Sequence, residues 1–303
     1  MIYTLTLNPS IDYIVALDKV ELGALNRTKK EAKIPGGKGI NVSLLLRSMG
    51  VDSIATGFIG GFTGRFVKDA LEAKGVKTSF IEVDGETRIN VKMKAEEETE
   101  INGQGPAISA DDLDVLKGKI AELRSGDTLV LAGSIPSRMD KNIYKELIRI
   151  CSENGTEVVV DAEGDLLKTV LPYRPFLIKP NHHELGQFFG VDIHMPDEAL
   201  PFAKKLVELG AKNVIVSLAG EGAVFVNETM ALSATVPKGE VRSSIGAGDS
   251  MVAGFLAKYL ETGSEKEAFR YSVAAGSATA FSIGLGTKEK TEELLEEVEV
   301  TER

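Results

Sequence analysis

The run Ser244-Ile245-Gly246-Ala247-Gly248-Asp249 carries the strongest chemical signal in the sequence. Met251, Val252, Phe255, Leu256, Tyr259 and Leu260 follow it at helical spacing, which predicts that residues 246–249 form the first turn of an amphipathic helix. Glycines there let the backbone approach a ligand closely, and the unpaired N–H groups of a helix start attract anions. A carboxylate at that spot works against plain phosphate binding. It fits a site where a phosphoryl group arrives beside a base that takes the proton of an attacking hydroxyl. The plainer alternative is that Asp249 only caps the helix and complements its dipole.

A second glycine cluster, Pro35-Gly36-Gly37-Lys38-Gly39-Ile40-Asn41, leads into the apolar-periodic segment 42–49. It is not a Walker A loop, because the upstream Gly and the Ser or Thr after the lysine are missing. Its spacing is also wrong for a dinucleotide fingerprint. Lys38 and Asn41 place a charge and an amide at one helix start, which suits a polyhydroxylated or phosphorylated small molecule. A plain turn bearing a lysine is the alternative.

Composition narrows the function classes. With 303 residues, the chain suits one large α/β domain or two modest ones, and 43% hydrophobic residues support a sizeable core. The net charge of -10 and the interspersed charges, with only the short basic stretch 27–30, argue against a nucleic-acid partner. Anionic ligands would need a local positive field. The single cysteine, Cys151, excludes an internal disulfide and points to a reducing compartment. Its setting, Leu147-Ile148-Arg149-Ile150-Cys151, reads as a buried helix face. The first seven residues read as a strand, not a signal peptide, and the small-apolar stretch 273–285 is too short to span a membrane. A soluble, cytoplasmic protein without a membrane partner is expected.

These candidate groups need a scaffold. Strand-like runs at 2–7, 53–59, 128–131, 157–160, 176–178 and 214–217 alternate with helical patterns at 41–49, 64–74, 110–123, 141–153 and 196–209. Ser109 and Asp112 mark a capping-box-like start. The alternation predicts a mostly parallel sheet with helices on both faces. Ligands bind such sheets beyond the carboxyl ends of the strands, where Asn8, Ser134, Asp161, Asn181 and Ser217 fall. Two segments break the rhythm. Residues 12–17 are apolar or neutral on both faces. In 87–93, Arg88, Asn90 and Lys92 alternate with Ile89, Val91 and Met93. Both are expected in a small inserted sheet whose polar face turns toward a ligand.

Taken together and in order, the two glycine clusters resemble the paired signatures of the ribokinase-like sugar kinases, most closely the phosphofructokinase B family. Lys179-Pro180-Asn181-His182-His183-Glu184 resembles that family's N-x-x-E segment, and Ser217-Leu218-Ala219-Gly220-Glu221-Gly222-Ala223 its nucleotide loop. The resemblance implies a three-layer α/β/α kinase domain over 1–303, with a lid formed by 12–34 and 87–105. It implies Asp249 as catalytic base, with the amides of Gly246, Ala247 and Gly248 holding the transferred phosphoryl group. ATP would be bound by Lys179, Asn181, Ser217, Leu218, Ala219, Gly220, Glu221, Gly222 and Gly248. Mg2+ would be reached from Glu184 through water. Adjacent histidines are expected to point apart, so His182 and His183 are not taken as zinc ligands.

The opening Thr6-Leu7-Asn8-Pro9-Ser10-Ile11-Asp12 resembles the phosphosugar-kinase subgroup. Asp12, Asn41 and the backbone of Gly36 and Gly37 would hold the sugar, with Ser134 and Asn90 adding contacts. Arg27, Lys38 and Arg88 would serve a phosphate already on the substrate. The reaction implied is transfer from MgATP to the 6-hydroxyl of fructose 1-phosphate, with tagatose 6-phosphate as the alternative acceptor. A non-catalytic sugar-phosphate sensor would be expected to have lost Asp249 or its glycines, and both are present. A nicotinamide oxidoreductase would need a glycine-rich turn after the first strand, where Asn8-Pro9 stands. The lid is expected to pair with a second lid in a homodimer.

Overall fold

Short β-branched runs pair side by side in the computed structural model, which describes residues 1–136, 138–162 and 165–303. Six of them, Ile2–Thr6, Ser53–Ile59, Thr128–Ala132, Glu157–Asp161, Leu177–Ile178 and Asn213–Ser217, form the parallel centre of an 11-stranded sheet. Their near-continuous apolar character follows from burial on both faces. Past Asn213–Ser217 the chain doubles back, and Ala223–Asn227, Ala231–Ala234 and Val300–Glu302 extend the sheet antiparallel.

Helices cover both faces, as the alternation predicts. On one side Leu116, Ile120, Tyr144, Leu147 and Leu206 pack against the sheet from helices Ala110–Ala121, Ile143–Asn154 and Pro196–Glu208. On the other, Val42, Leu45, Val252, Phe255 and Phe269 do so from Lys38–Ser48, Ala247–Thr262 and Glu265–Ala280. Ser109 and Asp112 form the expected capping box. Cys151 is buried, and burial pushes its thiol up to about 12, so it is core and not a nucleophile.

The helix Ala247–Thr262 departs from the amphipathic expectation. Every residue from Asp249 to Ala257 is buried, because this half of the helix is sandwiched between the sheet and its neighbouring helices. A Cβ at Gly254 would stand 2.7 Å from the Ala275 Cβ, so the small residue permits that packing. The expected apolar face also stops short of the last turn, where Leu260 is exposed. The helix expected over 41–49 begins earlier, at Lys38, because Gly37 supplies its start with φ 127.

A second, four-stranded sheet runs Lys30–Gly36, Ser10–Ala16, Arg88–Lys94, Thr99–Asn102. Its middle pair is parallel, with Ser10 opposite Arg88 and Asp12 opposite Asn90. Ile11 docks it onto the main body by packing with Ile40, Ala55, Val67 and Leu71. Ile34, Ile89 and Ile101 remain exposed on it. Among the described residues, no helix is long and apolar enough to cross a membrane.

Candidate active site

The carboxyl ends of the central strands and the polar face of the small sheet border one cavity of about 860 Å³. Its most charged corner lies at the start of Ala247–Thr262. Gly246 takes a left-handed conformation, φ 80, and serves as the N-cap. Asp249, in the first turn, is only 4% exposed. The N-cap, Gly246, has no side chain to cap the helix. Asn41 Nδ2 donates to Asp249 Oδ2 at 2.8 Å, so this carboxylate is engaged beyond its own helix as well as lying in its first turn. Burial raises its pKa to about 6, and the nearby Asp161 charge adds to that rise. Asn41, Lys38 and Lys179 oppose it.

Asp161 ends the strand Glu157–Asp161 and is the main group whose role was not legible in the sequence beyond its place at a strand end. Its carboxylate lies 3.5 Å from Lys38 Nζ and 3.4 Å from Lys179 Nζ. Burial pushes the Asp161 carboxyl up, but Lys179 and then Lys38 outweigh it and the net shift is downward. A Cβ at Gly248 would stand 2.9 Å from Lys179 Nζ, so glycine lets that ammonium reach the helix start. Two lysines and a helix N-terminus thus supply the local positive field that a chain of charge -10 needs. Lys38 was expected beside the substrate's own phosphate. It lines the cavity and pairs with Asp161 at the start of the helix that Gly37 opens.

Of the three amides expected to face the phosphoryl group, that of Ala247 donates to the Ser244 carbonyl at 3.3 Å. Holding an oxyanion there means exchanging that long bond for a shorter one. Asn181 and Glu184 make a capping box: the Asn181 N–H donates to Glu184 Oε2 at 2.8 Å, and the Glu184 N–H to Asn181 Oδ1 at 2.9 Å. Both residues line the cavity. Burial raises the Glu184 carboxyl, against the Asn181 N–H. His182 and His183 do not point apart; their rings lie 3.9 Å apart at 38°. Among the described residues no cluster of His, Cys, Asp and Glu forms a metal cage.

Ser217, Ala219, Gly220 and Gly222 line the next stretch of wall. Leu218 does not; it is buried in the core, as the next residue after a strand pointing to the opposite side. Glu221 is exposed and outside the cavity. Val236, Val241, Ile245 and Phe281 complete an apolar wall. Ile245 belongs to the glycine run that opens the helix, but Val236, Val241 and Phe281 come from segments with no shared motif, so no sequence signal marks those three.

At the far end, the small sheet contributes Ser10, Asp12, Arg88 and Asn90, and Ser134 faces them from the main sheet. Arg88 is held by the Asn8 carbonyl at 3.1 Å and the Gly103 carbonyl at 3.4 Å. Gly36 does not itself line the cavity, but a Cβ there would come within 2.6 Å of Asp12 and Ser10. Its role is to let the Asp12 side chain lie against the backbone. Lys92 lies away from the cavity and pairs with Glu100. Arg27 sits on the exposed loop between Ser10–Ala16 and Lys30–Gly36 and does not line its own chain's cavity. Among the described residues, two buried side-chain polar atoms lack a hydrogen-bond partner, Thr6 Oγ1 and Asn90 Oδ1, and both residues line this cavity.

This geometry has counterparts of known class. The family described as pfkB family carbohydrate kinase matches residues 5–292. The chain is 51% identical to 1-phosphofructokinase of Bacillus subtilis, over 99% of each chain. It is 38% identical to D-tagatose-1-phosphate kinase of Bacillus licheniformis, again over 99% of each. Phosphofructokinase-2 from Escherichia coli, solved in complex with substrates and products, superposes with a TM-score of 0.92 at 31% identity over 98% of both chains. The chain belongs to the pfkB family of carbohydrate kinases.

Proposed function

We propose that this protein transfers the γ-phosphoryl group of ATP to the 6-hydroxyl of fructose 1-phosphate, giving fructose 1,6-bisphosphate and ADP. The observation that carries the reading is Asp249: a buried carboxylate with its pKa raised to about 6, set in the first turn of a helix whose glycine start borders the cavity. Such a group is mostly ionised at neutral pH yet basic enough to accept the hydroxyl proton as the O–P bond forms. Phosphoryl transfer needs mainly positioning and charge stabilisation. Here the amides of Gly246, Ala247 and Gly248, with Lys38 and Lys179, face the phosphoryl group, and Asp161 keeps the two ammonium groups in place.

ATP would lie along Ser217, Ala219, Gly220 and Gly222, its base against Val236, Val241 and Phe281. Magnesium usually binds through one or two carboxylates plus phosphate oxygens and water. Glu184, with Asp161 nearby, fits that donor set, and the ion would neutralise charge on the phosphates. The sugar would rest against Asp12, Asn41, Asn90, Ser134 and the backbone of Gly36 and Gly37, with Arg88 on its 1-phosphate.

The relatives named above support a phosphate on C1, since both 1-phosphofructokinase and D-tagatose-1-phosphate kinase carry that position in their names. Tagatose 1-phosphate, the C4 epimer, is therefore the second reading. The exposed Ile34, Ile89 and Ile101 support a homodimer paired through the small sheets. Light scattering should then give twice the 32.5 kDa monomer mass. Asp249→Asn tests the chemistry. Turnover should fall by on the order of 10²–10⁴-fold with ATP affinity little changed, and near-normal turnover would end the assignment.

A further inference from the structure

We propose that Ser250 and Thr279 are positioning residues for phosphoryl transfer. Their hydroxyls link the Gly286 N–H to the Gly246 carbonyl in a one-way hydrogen-bond chain, which fixes the aim of the Ala247 N–H at the transferred group. The inference rests on the kinase reading above and adds to it two residues that the cavity itself does not expose.

Ser250 lies in the opening turn of Ala247–Thr262, and Thr279 is the penultimate residue of the neighbouring Glu265–Ala280. Both are fully buried, and neither lines the cavity. Ser250 Oγ donates to the Gly246 carbonyl at 2.8 Å, and the Ser250 N–H donates to the same oxygen at 2.9 Å. Ser250 Oγ also lies 2.5 Å from Thr279 Oγ1, which accepts from the Gly286 N–H at 2.8 Å. The hydrogens set the direction. That of Ser250 goes to a carbonyl, which only accepts, so that of Thr279 must go to Ser250 Oγ. The chain therefore runs from Gly286 through Thr279 and Ser250 to Gly246, with every donor used. A Cβ at Gly286 would stand 2.9 Å from the Thr279 nitrogen, so glycine permits the close approach that begins it.

A serine bonding back to the carbonyl four residues earlier is ordinary in a helix. This one ends on the peptide that opens the catalytic helix. Gly246 is the N-cap, and its carbonyl shares a planar peptide with the Ala247 N–H. In a trans peptide the two point in opposite directions. A carbonyl held along the helix thus turns the N–H out of its start, where Ala247 lines the cavity. That N–H has only the long 3.3 Å bond to the Ser244 carbonyl. Two donors fill both lone pairs of the Gly246 oxygen, and Thr279 keeps the Ser250 hydroxyl from rotating away. Leu285, from the segment that carries Gly286, packs on the same peptide: a Cβ at Gly246 would come within 2.7 Å of its Cδ2. A donor aimed in advance at developing charge costs no reorganisation during reaction. The chain should therefore act on the transition state more than on bound ATP.

The test compares wild type with Thr279→Val, Thr279→Ser, Ser250→Ala and the combined Ser250→Ala/Thr279→Val. It reads kcat, KM for both substrates, and affinity for MgADP with aluminium fluoride, a mimic of the phosphoryl group in transfer, beside fructose 1-phosphate. Losing a whole oxyanion donor costs about 10²–10³-fold in kcat, so a misaimed one should cost about tenfold in Thr279→Val and in Ser250→Ala. The mimic should weaken by a similar factor, with KM for ATP and for the sugar phosphate within about threefold of wild type. The combined variant should lose about as much as either single change, because both break one chain. Thr279→Ser keeps the hydroxyl and should recover most of the turnover. The proposal is overturned if Thr279→Val and Ser250→Ala keep kcat within about threefold of wild type, or if Thr279→Ser fares no better than Thr279→Val. It is also overturned if both KM values rise as kcat falls, the mark of a loosened fold. Should Thr279→Val fail to fold, Ser250→Ala, which removes one atom, decides by the same readings. Failure of the underlying reading looks different: wild type would turn over another ketose phosphate faster, and the comparison would run on that acceptor. A wild type inactive on all of them ends both.

Discussion

Asn41 Nδ2 donates to Asp249 Oδ2 at 2.8 Å, joining residues 208 positions apart in the chain. The bond ties the start of one glycine-led helix to the start of the other, and it favours the ionised form of a carboxylate that burial drives toward protonation. Asn41 therefore tunes the base as well as bordering the sugar site.

The pH profile should reveal this tuning. With Asp249 near 6, kcat/KM should fall about tenfold per pH unit below that value. Asn41→Ala removes an interaction that lowers the Asp249 pKa, so its acid limb should move to higher pH, by on the order of one unit for a lost charge-assisted hydrogen bond. An unmoved limb would show that the group titrating is not Asp249.

Asp161→Asn should act in the opposite direction on that limb. Its charge raises the Asp249 pKa, so removing it should move the limb to lower pH. The same change leaves Lys179, 5% exposed, without its carboxylate. Breaking a buried pair from one side costs about 3–5 kcal/mol, and denaturant unfolding should show a loss of that order. A variant as stable as wild type would mean that Lys179 finds another partner.

Asp249→Asn should stabilise the fold while abolishing most turnover. The folded pKa, about 6, lies above the usual carboxylate value, so the folded state binds the proton more tightly than the unfolded chain. That contribution is fully present below about pH 4 and is lost as pH rises through 6. Replacing the carboxylate with an amide should thus leave stability unchanged at acid pH and raise it by about 2–3 kcal/mol at pH 7. Thermal melts at both pH values check this, and destabilisation at pH 7 would contradict it.

Arg88→Ala should raise KM for the ketose phosphate by about 10–100-fold, the loss of one charge-assisted contact of roughly 1.5–3 kcal/mol, and leave KM for ATP near its wild-type value. Equal weakening of both would place Arg88 outside the sugar-phosphate end.

Local features were legible in the sequence. The start at Gly246, the capping box of Ser109 and Asp112, and the alternation in Arg88–Lys94 each depend on a few adjacent residues, and the structure realises them. What depends on strand order was not. Asp161 meets Lys38 and Lys179 only because Glu157–Asp161 lies between Thr128–Ala132 and Leu177–Ile178. No spacing reveals that. Ser10 is an ordinary strand serine until the register places it beside Asn90. Leu218 and Glu221 shared a loop with true cavity residues, but the alternation of that loop turned one inward to the core and the other to solvent. Arg27 looked suited to a phosphate by its charge and its place beside the lid, and it is exposed on a loop that does not line its own chain's cavity.

The most direct test of the account is a side-by-side measurement of kcat/KM with MgATP and fructose 1-phosphate, tagatose 1-phosphate, tagatose 6-phosphate and fructose 6-phosphate, with the sugar product identified. The account predicts the highest value for fructose 1-phosphate, with fructose 1,6-bisphosphate and ADP formed in equal amounts. A higher value for any other acceptor, or no ADP release with any of them, would contradict it.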